Sequence, residues 1–294
     1  MMKVAIYGQY YKSEDKPYAI ELIKKLEEHH VTFYFEEEYY ASMKLEISVK
    51  NAKTFRSHED LDDSFQFMIT LGGDGTILRA VTLIRNLNIA IVGINTGRLG
   101  FLATVQKDHI SESIDLLLSK KYIINKRSLL SISSHPTIES VGNLDFALNE
   151  VSLSRKNTAS MITVETYLDE EYLTSYWADG LIVATPTGST GYNLSCGGPI
   201  ITPMAESFVL TPIAPHNLNA RPLVIPDETD FKFKVTGRED EYFLSLDSRI
   251  SSVPMNTEIH VRKADFKLNI VQFKRQTFLK TLREKLLWGQ DPRN

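Results

Sequence analysis

The feature that most constrains this chain is a rhythm in its first third, where short unbroken apolar runs alternate with helical apolar periodicity. Val4, Ala5, Ile6 and Tyr7 read as a strand, after which Ala19, Ile20, Ile23 and Leu26 fall on one helix face. Residues 31–35 read as a second strand, and residues 65–71 as a third that runs directly into Gly72-Gly73-Asp74-Gly75-Thr76. A helix is predicted over 77–86 and a buried strand over 89–94, ending in Asn95-Thr96-Gly97-Arg98-Leu99-Gly100-Phe101. This order predicts an α/β domain with a Rossmann-like, mainly parallel sheet covered by helices. In open sheets of that kind ligands sit beyond the carboxyl ends of the strands, where both glycine-containing loops lie.

The pattern changes after a helical stretch over 110–118. From about 127 to 273 the apolar residues come in short runs broken by turn residues, at 129–133, 161–168, 172–177, 181–184, 231–235, 242–246 and 266–273. That is an all-β, sandwich-like region, and Asp169-Glu170-Glu171 between two of the runs reads as a hairpin turn. Near the end of the sequence Phe278, Leu282 and Leu286 share a helix face, with Leu279 beside them. The expected organisation is an α/β domain over 1–126 completed by a C-terminal helix within 274–294, with the all-β domain over 127–273.

Composition narrows the function. A net charge of -4 over 294 residues provides no broad basic field for a nucleic-acid backbone or an anionic membrane, so any phosphate recognition is local. The single cysteine, Cys196, cannot form an internal disulfide, and without an adjacent base it reads as a packing residue. The first apolar run is too short for a signal peptide and no later stretch has membrane-spanning length, which sets the expectation of a cytoplasmic protein. A Walker-A lysine pattern, a dinucleotide fingerprint followed by an acid, and H-E-x-x-H are all missing from the sequence.

Two constellations carry chemistry. In Gly72-Gly73-Asp74-Gly75-Thr76 the glycines let backbone amides approach phosphate oxygens, and the following helix N-terminus favours an anion. A carboxylate in that position needs a purpose, such as accepting a proton or organising a cation; the pentapeptide alone equally admits a turn with Asp74 as a plain helix N-cap. The second segment, TPTGSTGYNLSCGGPI at 185–200, packs hydroxyls and amides among glycines directly after a buried strand, with Asp179 beside the same strand. Such groups offer directional hydrogen bonds to an adenine edge, a ribose or a pyrophosphate. Asn149-Glu150 falls where half-burial is expected; ligand binding and a solvent-facing pair fit the local sequence equally well. His216 reads as a loop residue.

GGDGT at 72–76, INTGRLGFL at 94–102, NE at 149–150, DG at 179–180, the segment 185–200, TPIAPHNLNARPLVIP at 211–226 and LREKLLWG at 282–289 resemble the NAD kinase family in order and spacing, over nearly the whole chain. The resemblance implies ATP-dependent phosphorylation of the 2′-hydroxyl of the adenosine ribose of NAD, with a divalent cation, expected to be Mg2+, and Asp74 as general base. It implies nucleotide contacts from Gly75, Arg79, Asn149, Glu150, Asp179, Thr190, Gly191, Tyr192, Asn193, Leu194, Ser195 and Ala214, and it leaves the metal-binding residues undefined. It also implies a homodimer or homotetramer, built through the β domain with no nucleic-acid or membrane partner. Trp177 and Arg249 depart from the arginine and glutamine of many members. A diacylglycerol-type lipid kinase and a non-catalytic dinucleotide sensor are the alternatives, the first disfavoured by the polar 185–195 segment and the second by the presence of Asp74.

Overall fold

The computed structural model describes residues 2–157 and 160–289, in two compact units: Met1–Lys126 with Leu268–Asn294, and Arg127–Lys267. The first unit contains β1 (Lys3–Gly8), α1 (Lys16–Glu28), β2 (Thr32–Glu36), α2 (Glu37–Met43), β3 (Lys53–Phe55), β4 (Phe67–Leu71), α3 (Asp74–Ile84), β5 (Ala90–Asn95), β6 (Val105–Gln106) and α4 (Ile110–Leu118). Strands β3-β2-β1-β4-β5 lie side by side and parallel, Val4 pairing with both Phe33 and Phe67, and Phe67 with Ala90. Alternation along the strands sends Val4, Ile6, Ile69 and Val92 to one face, where they meet Leu22 and Leu26 of α1 and Ile114 and Leu117 of α4. Each such aliphatic side chain contributes roughly 1.5–3 kcal/mol by leaving water. On the opposite face α3 brings Ile77 against Gly93 of β5. The elements α2, β3 and β6 are not predicted from the sequence; the Glu36 carboxylate caps α2 by accepting the N–H groups of Glu38 and Tyr39.

The second unit is built from most of β7 (Ile123–His135), β8 (Phe146–Ala147), β9 (Glu150–Arg155), β10 (Ile162–Leu168), β11 (Glu171–Ala178), β12 (Gly180–Ala184), α5 (Tyr192–Ser195), β13 (Ser207–Ile213), β14 (Leu223–Pro226), β15 (Phe231–Thr236), β16 (Glu241–Leu246), β17 (Arg249–Pro254) and most of β18 (Glu258–Gln272). One antiparallel sheet has the order β14-β13-β12-β9-β16-β17, and β11, β10, β15 and β18 are neighbours in a second. Val151, Val183, Phe208 and Leu244 from the first share a core with Val164, Phe231, Phe233 and Ile259 from the second, so this unit is a β-sandwich. Asp169 (φ 48) and Glu170 (φ 66) close the β10–β11 hairpin as a two-residue turn whose positive φ values match the twist of the strands, and Glu171 already belongs to β11.

The last residues of β18 return to the first unit, where Asn269 and Ile270 pair parallel with Ala90 and Ile91 of β5. That pairing puts the division at 267/268 instead of 273/274. The closing helix α6 (Phe278–Leu286) also belongs to the first unit; it buries Leu282, sets the Phe278 ring 6.4 Å from Phe101, and leaves Leu279 exposed. Among the described residues no helix is long and apolar enough to cross a membrane.

Candidate functional site

In the first unit the sheet order reverses direction between β1 and β4, which opens a crevice beyond their carboxyl ends. The GGDGT loop leaves β4 at this point. Gly73 is the N-cap of α3 and Asp74 is its first helical residue, so Asp74 is not the cap. Its carboxylate turns instead to the loop after β5: Oδ2 accepts the N–H of Phe101 at 2.7 Å, and Oδ1 accepts those of Leu102 and Ala103, each at 3.0 Å. Gly100 makes this approach possible, because a Cβ there would lie 1.9 Å from Asp74 Oδ1. Asn95 shapes the same loop, donating to Arg98 O at 2.7 Å and accepting from Gly97 N at 2.8 Å. A Cβ at Gly73 or Gly75 would meet nothing within 4 Å, so the backbone on either side of Asp74 borders open space. First-turn helix amides have no intrahelical partner, and here they face a region with room for an anion.

Tyr7, Asp15 and Thr96 join this end of the sheet without a local sequence signal. Burial pushes the Tyr7 hydroxyl up to about 12, Arg79 opposing the shift and Glu36 and Glu38 adding to it, which places exposed Arg79 near the ends of β1 and β2. Burial also raises the Asp15 carboxyl, countered by a hydrogen bond from Thr96 in the loop after β5. Among the described residues no group of three His, Cys, Asp or Glu side chains could hold a metal ion by itself.

In the second unit the segment after β12 folds back over Asn149-Glu150. Thr185 N donates to Asn149 O at 2.9 Å and Thr185 Oγ1 to Leu148 O at 2.6 Å. Gly188 then passes so close that a Cβ would lie 2.0 Å from Asn149 O, which excludes every other residue type. The segment is braced from within: Ser189 Oγ donates to Pro186 O, Asn193 Nδ2 donates to Ser189 O and Pro199 O, and Thr211 Oγ1 donates to Asn193 Oδ1 at 2.6 Å. Asn193 is therefore fully buried, with both amide protons engaged in holding the loop.

Beneath this loop Asp247 accepts the N–H groups of Leu148 at 3.0 Å, Asn149 at 2.7 Å and Glu150 at 3.2 Å. Two polar atoms remain buried without a partner, Asn149 Oδ1 and Glu150 Oε2. Burial, reinforced by the Asp247 charge, pushes the Glu150 carboxyl up to about 8, with the Tyr192 N–H acting against the shift. Gly191 lies against the same pair, its Cβ position 3.0 Å from Glu150 Oε2. Tyr192 is 43% exposed, while Thr190 donates to Thr187 O at 3.2 Å. Leu194 and Ser195 complete α5, which sits in the same segment.

Asp179 forms an ion pair with Arg155 at 2.8 Å, and its N–H donates to Ile213 O at 3.0 Å, one residue before Ala214 with its left-handed φ of 43. Trp177 lies with its ring centroid 4.3 Å from that of His216, so the two form an aromatic pair beside Asp179 and Ala214 in the chain. Arg249 donates to Leu144 O and Phe146 O, and its guanidinium thus ties down the strand that precedes Asn149. The second unit accordingly gathers Asn149, Glu150, Gly191 and Tyr192, whereas Asp74, Gly75 and Arg79 cluster in the first. Asp247 was overlooked in the sequence because one acid in a turn has no periodic or compositional signature.

Comparison with known proteins gives this geometry a family. Residues 4–122 match the ATP-NAD kinase N-terminal domain and residues 148–273 the ATP-NAD kinase C-terminal domain. The chain is 55% identical to an NAD kinase of Flavobacterium psychrophilum and 53% identical to one of Flavobacterium johnsoniae, in each case over 100% of both chains. Its fold resembles that of yeast NADH kinase complexed with NADH, with a TM-score of 0.87 at 23% identity, covering 99% of this chain and 89% of that one. It also resembles an NAD kinase from Archaeoglobus fulgidus in complex with ATP, with a TM-score of 0.77 at 26% identity, covering 97% of this chain and 99% of that one. The chain belongs to the ATP-NAD kinase family of phosphotransferases.

Proposed function

We propose that this enzyme transfers the terminal phosphoryl group of ATP to the 2′-hydroxyl of the adenosine ribose of NAD. The observation that carries the reading is Asp74, a carboxylate oriented by three backbone amides and flanked by glycines whose backbone borders open space. In the step proposed, the 2′-oxygen bonds to the γ-phosphorus as the bond from that phosphorus to the β,γ-bridging oxygen breaks, ADP leaves, and the hydroxyl proton passes to Asp74. Oδ2 accepts a single N–H and so keeps a lone pair for that proton.

Gly75 and Arg79 serve the phosphates, the first through its backbone and the second through its charge. NAD is held by Asn149, Glu150, Asp179, Thr190, Gly191, Tyr192, Asn193, Leu194, Ser195 and Ala214, the Asn193 side chain also bracing the segment. The orphaned Asn149 Oδ1 and Glu150 Oε2 support this assignment, since buried polar atoms are rarely left without partners. A divalent cation fits as a passenger on the triphosphate, because Mg2+ commonly takes one or two carboxylates and completes its shell with phosphates and water. Bound with the triphosphate, it would be held chiefly by phosphates and water and would neutralise phosphate charge, while Asp74 accepts the proton.

We further infer a homo-oligomer, dimer or tetramer, joined through the β unit in the cytoplasm. β11 is an edge strand that exposes Tyr172, Leu173 and Trp177, and such edges favour a partner. Ile162 and Val164 of the neighbouring β10 are buried in the sandwich core and take no part. The test of the central reading is incubation with ATP, Mg2+ and either NAD or a diacylglycerol, followed by phosphorus NMR of the product. A phosphate on the 2′-position of NAD is the expected outcome; a phosphorylated lipid, or none, would overturn it.

A further inference from the structure

The first unit contains a cavity of about 700 Å3 that the proposed chemistry does not use. Leu99, Leu116, Tyr122 and Phe273 give it an apolar lining, and its rim is cationic. Arg275 and His109 are matched by Glu112 at 3.1 and 3.4 Å, and Lys280 by Glu284 at 3.9 Å. Lys120, Lys121 and Lys274 line the same cavity and have no carboxylate within ion-pair distance among the described residues. Like charges left unneutralised around an apolar hollow favour a ligand that has both an apolar body and a negative group.

The position of the cavity gives an occupant a route to the chemistry. Leu99 and Thr104, both in the lining, bracket the segment whose amides at Phe101, Leu102 and Ala103 hold Asp74. Thr104 Oγ1 also donates to Gln276 Oε1 at 3.1 Å, and Gln276 lines the cavity as well. A ligand seated here touches both ends of the Asp74 clamp without contact with Gly72, Gly73, Asp74 or Gly75.

We propose that this cavity is a second ligand site for a small amphipathic organic anion, an aromatic or aliphatic body bearing a sulfonate, phosphate or carboxylate, and that its occupant alters turnover through residues 99–104. The binding half stands alone, and the turnover half rests on the kinase reading above.

The full-length protein is titrated with anilinonaphthalene sulfonate by fluorescence, beside Lys121→Glu/Lys274→Glu and the stem-preserving Lys121→Met/Lys274→Met. Both lysines are exposed, so the variants should unfold at the wild-type temperature. Saturable one-to-one binding is expected, weakened about tenfold or more by the charge reversal and less by methionine, and reduced by added salt. It should be unchanged in saturating ATP or NAD. Equal affinity in all three proteins, or displacement by ATP or NAD, would overturn the site. At saturating probe the rate of NADP formation should change at least about twofold in the wild type, the least that a 0.4 kcal/mol difference in barrier produces, and not in the reversed variant. Binding with no change in rate refutes the coupling alone. Absence of NADP formation without probe refutes the kinase reading and leaves the binding result standing.

Discussion

Replacing Asp74 with asparagine separates two roles of this carboxylate. The side-chain oxygen of asparagine can still accept the N–H groups of Leu102 and Ala103, both at 3.0 Å in the wild type. Its NH2 group then faces the Phe101 N–H across the 2.7 Å now occupied by a charge-assisted bond, donor against donor. Loss of that bond costs about 1.5–3 kcal/mol, which for a chain of this size lowers the melting temperature by about 3–12 °C. Loss of the proton acceptor reduces kcat by about 10²–10⁴. The assay is initial-rate NADP formation, read with an NADP-specific dehydrogenase, together with thermal unfolding and calorimetric NAD affinity. Gly100→Ala is the companion variant: its new Cβ, 1.9 Å from Asp74 Oδ1, displaces the carboxylate without removing it. Its rate should fall although the carboxylate is still present. A kcat reduced less than about tenfold in Asp74→Asn, with unchanged NAD affinity, would assign the proton to another group.

Three further outcomes are expected. Tyr192→Ala and Asn149→Ala should weaken NAD far more than ATP in calorimetric titrations, and wild-type NAD affinity in both would remove the polar segment from the substrate. Glu150 ionises at about 8 in the folded protein, above its ordinary value of 4.5. Between these values the folded state retains a proton that the unfolded chain has lost, so stability is full below pH 4.5, declines as pH rises, and levels above 8. Denaturation midpoints at both ends of that window should converge in Glu150→Gln; an unaltered pH slope would contradict the burial argument. Light scattering across a dilution series should report a mass that is a multiple of 33.4 kDa, and a fully active monomer at micromolar concentration would refute the shared-edge assembly.

Much of the fold was legible because the pattern was local. The strands at β1, β4 and β5 are unbroken apolar runs, α4 begins and ends where its periodicity does, and the hairpin at Asp169-Glu170 follows from two polar residues between alternating runs. By contrast α2 buries only Tyr39 and Met43, and β3 only Phe55, too few positions to establish a period. The site was legible as residue types but not as roles. Asp74 stood out among its glycines, yet its three amide donors come from residues 101–103, which only the tertiary fold delivers. The bracing by Asn193 is invisible in the sequence, because its partners Ser189, Pro199 and Thr211 meet only once the segment has closed. Arg249, flagged as a departure, is engaged with two carbonyls about a hundred residues upstream.

The pairing of Asn269 and Ile270 with β5 has a consequence for how the protein is made. On the ribosome residues 90–91 emerge long before 269–270, so the start of β5 waits without its β18 partner during synthesis of the β-sandwich, while its end can already pair with β6. The inserted unit, continuous from Arg127 to Lys267, can complete its own core during that interval, whereas the α/β unit needs both ends of the chain. The nascent chain therefore carries an unpaired stretch of sheet edge at Ala90 and Ile91 until residues 269–270 have been added.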